Sequence, residues 1–251
     1  MLQNIDFYYF SPTGGTKKAG EAIAAALAES VNAISLAAKT VSAPASDVVV
    51  VTVPVFGGRI PALVSDRLRQ LKGMGKKAVT AVVYGVRAYE DALLELNDVM
   101  TDCGFEVIAS AALIAQHSIV PEVGAGRPDA TDTEEIQQFV KRVLDAMENG
   151  GTGTVSVPGN HPYKESMKAS AAPVTLDSCG SCGFCASLCP TEAISITEAG
   201  VVTDIEKCMM CMACVAKCPA KARILPPPVQ DALNQKLGVF RDVRRENEFF
   251  E

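Results

Sequence analysis

Through the first 150 residues, runs of Val, Ile and Ala alternate with stretches whose apolar positions recur every three to four residues. The runs at 5–10, 48–55, 78–84 and 105–114 read as strands, with a shorter one at 33–36. Helical periodicity marks 16–29, 61–71, 90–103 and 131–147; the first sets Ile23 and Leu27 on one face among alanines small enough for close packing on a sheet. Strands apolar on both faces, alternating with helices, predict an α/β fold with a doubly wound, five-stranded parallel sheet over residues 1–150. Gly150-Gly151-Thr152-Gly153, followed by Pro158, Gly159 and Pro162, then breaks the pattern, and 151–174 reads as a linker. A cysteine-rich module of small α+β character occupies 175–226 and is closed by Pro226-Pro227-Pro228. In the tail, 227–251, Val229, Leu233 and Leu237 recur at i, i+4 and i+8 and predict a short helix packed on the body.

Composition narrows the class. A 251-residue chain that is 48% apolar can bury two domains of unequal size. Its net charge of −6 argues against a nucleic-acid partner, because binding to a phosphate backbone needs a basic surface. Met1-Leu2-Gln3-Asn4 runs straight into a strand, without a cationic leader or a long apolar stretch, so the expectation is a cytoplasmic protein with no membrane span. Eight of the nine cysteines crowd into residues 179–218. With no secretion signal beside them, cofactor ligation explains them better than disulfides.

Those eight form a duplicated run. Cys179, Cys182, Cys185 and Cys189-Pro190 follow C-x2-C-x2-C-x3-C-P, and Cys208, Cys211, Cys214 and Cys218-Pro219 repeat it, each ligand 29 residues beyond its counterpart. A spacing of two lets three thiolates converge on one iron–sulfur cubane, while the fourth cysteine lies past a turn and reaches the other cluster. The expected sets are Cys179, Cys182, Cys185 and Cys218 for one 4Fe-4S cluster, and Cys208, Cys211, Cys214 and Cys189 for the second. Gly180 and Gly183 free backbone N–H groups to turn toward sulfur, and Pro190 and Pro219 end each run. Structural zinc also uses C-x2-C pairs but does not ask for a third cysteine at the same spacing and a Cys-Pro after it. The run resembles the two-cluster bacterial ferredoxins over about residues 175–225.

A second signal follows the first strand. Phe10-Ser11-Pro12-Thr13-Gly14-Gly15-Thr16 sets hydroxyls and glycines between strand and helix, where unpaired N–H groups and the helix dipole favour an anion. No Gly-Lys-Ser/Thr triplet and no G-x-G-x-x-G is present, which leaves a flavin monophosphate. An ordinary glycine turn capped by Thr16 is the alternative; it leaves the hydroxyls of Ser11 and Thr13 unexplained. The run resembles the flavodoxin phosphate loop S/T-x-T-G-x-T, with Ser11, Thr13, Gly14, Gly15 and Thr16 on matching positions.

Sheets of that type bind FMN beyond the carboxyl ends of the strands, so the loops after the third and fourth strands should clasp the isoalloxazine ring. Phe56-Gly57-Gly58-Arg59 offers an apolar neighbour, a close backbone approach and a cation for the pyrimidine edge, and Tyr84-Gly85-Val86-Arg87-Ala88-Tyr89 supplies the second loop. Similar P-V-[FY]-x-G-R and Y-G-x-R-x-Y strings occur in this order in flavodoxin–ferredoxin fusions of the EFR type, and this resemblance covers nearly the whole chain. Core packing for Phe56 and Tyr89, and a solvated surface for Arg59 and Arg87, are the plainer readings. His117 is placed after the fifth strand, as a proton donor to the flavin or as a structural histidine. Lys17 and Lys18 screen a phosphate or face water. Cys103 reads as an inert buried thiol, and His161 as part of the linker.

The resemblance implies a redox protein in which FMN exchanges electrons with two 4Fe-4S clusters, serving redox partner proteins or acting as a flavin-dependent iron–sulfur oxidoreductase on a small molecule or NAD(P)H. The alternative is a ferredoxin-type carrier whose sheet domain is a docking module without flavin.

Overall fold

The computed structural model describes residues 1–150, 153, 155–167, 169–198 and 200–251. The break at Gly150-Gly151-Thr152-Gly153 therefore lies in part outside the described residues. The chain opens with β1 (Leu2–Tyr9), α1 (Gly15–Leu27), β2 (Ala28–Ser35), β3 (Val48–Pro54), α2 (Ala62–Leu68), β4 (Lys77–Tyr84), α3 (Ala92–Asp102), β5 (Glu106–Ile114) and α4 (Ala130–Glu148). After the connecting segment come β6 (Val174–Thr175), α5 (Phe184–Leu188), β7 (Ile194–Thr197), β8 (Gly200–Thr203), α6 (Ala213–Ala216) and β9 (Arg223–Ile224), and the tail supplies α7 (Pro227–Gly238) and β10 (Glu248–Phe250).

Five strands are parallel in the order β2-β1-β3-β4-β5, the flavodoxin-like doubly wound arrangement, whose first connection reverses direction at β1 and β3. Alternation along β1 and β3 explains why both faces are dry. Ile5, Phe7, Val48 and Val50 pack with Ile23 and Leu27 of α1 and Ile136 and Phe139 of α4. Tyr8, Val49, Val51 and Val53 pack on the opposite face with Val64 and Leu68 of α2, Leu93 and Leu96 of α3 and Leu237 of α7.

The sheet departs from the five-stranded expectation at its far edge. The tail does more than form a helix: β10 pairs antiparallel with β5 as a sixth strand, Phe250 opposite Ser110. Phe249 stacks on Phe139 of α4 at 4.8 Å between ring centroids. At the near edge α1 stops at Leu27 and β2 starts at once at Ala28, not at 33. Most β2 side chains are exposed, so Glu29, Ser30 and Asn32 interrupt any apolar run there.

One buried ion pair latches the tail. Asp132, in the first turn of α4, accepts both donors of the Arg127 guanidinium fork; their side chains are 1% and 5% exposed. Asp132 also closes a capping box with Asp129 and accepts from Asn247 Nδ2 at 2.8 Å. Arg127 reaches on to the Arg245 carbonyl at 3.0 Å, and Asn247 Oδ1 accepts the Ile114 N–H at 2.9 Å.

The second unit repeats itself in three dimensions. Each cysteine run leads into one short helix, α5 or α6, and two-stranded sheets β6–β9 and β7–β8 frame the pair. Asp132→Ala leaves the buried Arg127 with only the more distant Asp129 carboxylate, at 3.9 Å, and is expected to lower stability by about 3–5 kcal/mol. It should also free residues 245–250, read by urea unfolding and by protease cleavage near Arg245.

Candidate functional site

At the carboxyl end of the sheet, the loop from β1 to α1 carries Ser11, Thr13, Gly14, Gly15 and Thr16. Ser11 Oγ accepts the Lys17 N–H at 2.9 Å. Gly14 is the N-cap, with φ of +106°, open space where a Cβ would stand and no side-chain cap. Of the first-turn N–H groups of α1, that of Lys17 is taken by Ser11, while the N-cap residue brings no side chain to those of Gly15 and Thr16. Lys17 pairs with Glu21 and lies over the Tyr9 ring, while Lys18 is held by the Pro128 carbonyl at 2.8 Å, so neither ammonium is committed to this loop.

Beside it, a cavity of about 540 Å³ opens among Phe56, Gly57, Gly58, Tyr84, Gly85 and Arg87, within the range of small-molecule and cofactor sites. Phe56 and Arg59 form a β-bridge around a tight turn with positive φ at both Gly57 and Gly58. A Cβ on Gly58 would fall 1.7 Å from Glu90 Oε2, so this turn can pack on the neighbouring loop only as glycine. Tyr84 is buried at the cavity wall, where burial and Glu248 push its phenol up to about 12 and keep it a neutral donor.

Two expected cavity residues are placed elsewhere. The Arg59 guanidinium forms a fork with Glu95, at 2.7 and 2.8 Å, and stacks on Tyr163 at 4.6 Å from the ring centroid. The buried Glu95 carboxylate requires that partner, so the cation foreseen at a flavin edge is drawn off. Tyr89 lies behind Tyr84, edge-on at 5.3 Å, and donates to Glu248 Oε2 at 2.8 Å. Arg87 does line the cavity, held by Glu90 at 3.0 Å. Lys164 and Lys236 are further cations of the lining that sequence reasoning missed.

His117 also lines the cavity. Its Nδ1 accepts the N–H groups of Ile119 and Val120, at 3.2 and 3.1 Å. That fixes the neutral tautomer with its proton on Nε2, and burial holds the imidazole below its ordinary pKa. A Cβ on Gly85 would stand 2.6 Å from the ring, so Gly85 makes room for it. His117 is thus set up as a hydrogen-bond donor rather than as an imidazolium acid. His161 instead pairs with Asp98 on the outside, and Cys103 donates to the Leu68 carbonyl at 3.4 Å.

The remaining walls come from residues 164–167 and from α7: Lys164, Met167, Val229, Leu233 and Leu237. Asp91 positions the segment, accepting the Lys164 N–H at 2.8 Å, the Asn160 N–H at 2.9 Å and Asn160 Nδ2 at 3.2 Å. Gln230 of α7 donates to the Ile119 carbonyl at 3.0 Å.

The second cysteine run reaches this cavity through Met210. A second cavity is lined by Cys189, Cys208, Cys211 and Cys214, three from one run and one from the other. Backbone N–H groups point at sulfur in both runs: Ser181 to Cys179 at 3.4 Å, Met210 to Cys208 at 3.5 Å and Ala193 to Cys189 at 3.2 Å. Ser181 and Met210 both hold positive φ, as do Gly183 and Met212, so the duplicated spacing is also a duplicated backbone shape. Burial raises the Cys211 thiol to about 11 and so favours its protonated form. For Cys218 burial is outweighed by the backbone N–H groups of Ala222, Ala220, Arg223 and Lys221, which hold the thiol below its usual value. Among the described residues, no three His, Cys, Asp or Glu form a group able to hold a single metal ion. No helix there is long and apolar enough to cross a membrane.

A strand order of β2-β1-β3-β4-β5 followed by a twofold cysteine module defines a flavodoxin-like domain joined to a small ferredoxin domain. Residues 178–222 match the model of the 4Fe-4S dicluster domain. The chain therefore joins a domain of flavodoxin-like fold to a 4Fe-4S dicluster domain. No curated protein matches it. Solved structures similar to it include the rubredoxin oxygen:oxidoreductase of Desulfovibrio gigas, at 16% identity over 58% of this chain and 36% of that one, TM-score 0.44. Others are the flavodoxin of Streptococcus pneumonia TIGR4, at 17% identity over 57% and 98%, TM-score 0.43, and a WrbA-like flavodoxin of Agrobacterium tumefaciens, at 14% over 59% and 98%, TM-score 0.44. The match spans about a third of the length of the first of these.

The Lys164 N–H, with Asn160, holds the Asp91 carboxyl below the usual carboxylate range. Its contribution is present above that range and is lost as pH falls through the lowered value. Asp91→Ala is expected to cost about 2–4 kcal/mol, from lost hydrogen bonds to a charged acceptor. It should make residues 155–167 protease-sensitive at neutral pH; unchanged protection would show that other contacts hold the segment.

Proposed function

We propose that this protein couples an FMN in the large cavity to two 4Fe-4S clusters, and so connects two-electron to one-electron chemistry. The observation that carries this reading is Met210, whose residue lines both the large cavity and the cavity ringed by Cys189, Cys208, Cys211 and Cys214. The two sites thus share a wall. FMN supplies the exchange between paired and single electrons, and each cluster passes electrons singly.

The residues fit these groups. Ser11, Thr13, Gly14, Gly15 and Thr16 offer hydroxyls and the uncapped N-terminus of α1 to a phosphate. Phe56, Gly57, Gly58, Tyr84, Gly85 and Arg87 bound space for a planar ring, with His117 Nε2–H available as a fixed neutral donor. Lys164 and Lys236 bring positive charge to the lining in place of Arg59. Leu233 and Leu237 of α7 limit water on one side. The cavity ringed by Cys189 with the second run supports crossed ligation, with Cys179, Cys182, Cys185 and Cys218 left to the other cluster.

The working division is a flavodoxin-like domain, 1–150, and a ferredoxin domain, 175–226, joined by 151–174, with 227–251 folded back on the first. Redox partner proteins are the expected partners, in a cytoplasmic setting, and NAD(P)H or a small oxidant is the class that would meet the flavin directly.

Protein purified without oxygen should carry about eight iron, about eight sulfide and one FMN per chain. Full iron with no flavin would leave the sheet domain as a docking module and overturn the coupling. Replacing Thr13 and Thr16 together by alanine should weaken FMN binding at least tenfold through lost donors to the phosphate, with iron content unchanged. Cys189→Ala should cut iron to about four per chain and spare the cluster anchored by Cys179, Cys182 and Cys185. Loss of that cluster instead would refute the crossed assignment.

A further inference from the structure

The largest fully buried side chain of the protein is a cation. Arg223, at the start of β9, is 2% exposed in the middle of the ferredoxin domain. Its Nη1 donates to Thr175 Oγ1, and its Nη2 donates to the Pro173 carbonyl at 2.8 Å and to Thr203 Oγ1. Every one of these acceptors is neutral. Nε is buried with no hydrogen-bond partner, and among the described residues no Asp or Glu pairs with the guanidinium. A buried charge without a counter-ion is costly, and proteins retain one where an anion meets it.

The sulfurs around it identify that anion. Pro173 and Thr203, the two acceptors that hold Arg223 Nη2, line the same cavity as Cys189, Cys208, Cys211 and Cys214, and the Arg223 side chain hydrogen-bonds Cys214. The repeat makes the choice of residue specific. The position 29 residues earlier is Ile194, an apolar residue that packs with Cys185 and Cys214. One half of the duplication therefore fills the centre of the domain with a hydrocarbon, and the other fills it with a guanidinium.

We propose that Arg223 is the internal counter-charge shared by both clusters, and that it raises their reduction potentials. This rests on the two-cluster reading above. On reduction each cluster gains one electron, drawn in a titration from a mediator dye; no bond or proton changes hands, and the domain becomes more negative by one charge. A fixed cation among the thiolates favours that form. The effect should be larger for the cluster of Cys189, Cys208, Cys211 and Cys214, because the residues that hold Arg223 Nη2 line the cavity of those ligands.

The test is potentiometry of the whole holoprotein, followed by electron paramagnetic resonance, for wild type, Arg223→Met, Arg223→Gln and Arg223→Lys. Iron, sulfide and flavin are counted first, so a wild type without two clusters would end the functional reading before the question of Arg223 arises. The neutral variants should shift the one-electron equilibrium of the second cluster at least tenfold toward the oxidised form, about 59 mV lower. The first cluster should follow by less, and Arg223→Lys should stay near wild type. Loaded neutral variants with unchanged potentials would overturn the proposal. If the neutral variants fail to hold clusters while Arg223→Lys holds them, the charge is required and the proposal stands. If the lysine variant fails equally, Arg223 is a packing and hydrogen-bonding residue and the proposal falls.

Discussion

A parallel sheet must be covered on both faces, and that requirement decides where everything else in this protein goes. With α1 and α4 on one side and α2, α3 and α7 on the other, only the carboxyl ends of the strands are left for a sizeable ligand. The loops after β1, β3, β4 and β5 all emerge there, and the cavity takes its walls from three of them. Residues 164–167, the second cysteine run and α7 converge on the same edge. The ferredoxin domain is thus delivered to the edge of the sheet domain at which the large cavity opens.

The difference between the two cysteine runs follows from that delivery. Gly180, Ser181 and Cys182 of the first are exposed. Their counterparts, Met209, Met210 and Cys211, are partly covered, and Met209 packs against the core of the sheet domain. Flexible thioether side chains suit an irregular contact of this kind, and small polar residues suit water. A duplicated motif has in this way been given an inner and an outer side while its ligand spacing and its left-handed backbone positions stayed the same.

Much of this was legible from sequence, for physical reasons that also mark the failures. β3, β4 and β5 are buried on both faces, so each stands out as an apolar run. β2 is an exposed edge and reads as polar, and β10 has three residues, too few for a period. Phe56, Tyr84 and Gly85 could be placed because glycine punctuates the ends of their strands. Arg59 and Tyr89 could not: their partners, Glu95 and Glu248, lie 36 and 159 residues away, and no local pattern announces a long-range carboxylate. Arg223 was invisible for the same reason, since a lone arginine after a Cys-Pro looks like a surface charge until its burial is known.

Because β10 returns to pair with β5, the ferredoxin domain is held at both ends, by the segment pinned to Asp91 on one side and by α7 on the other. It is inserted into the sheet domain's architecture rather than hung from it. A carrier on a single tether meets its site at an effective concentration set by tether length and stiffness. Here the encounter is replaced by permanent contact: lengthening the connection would change the shape of the molecule before it changed how often the two halves meet. The ferredoxin domain sits less like a weight on a leash than like a panel fastened along two edges.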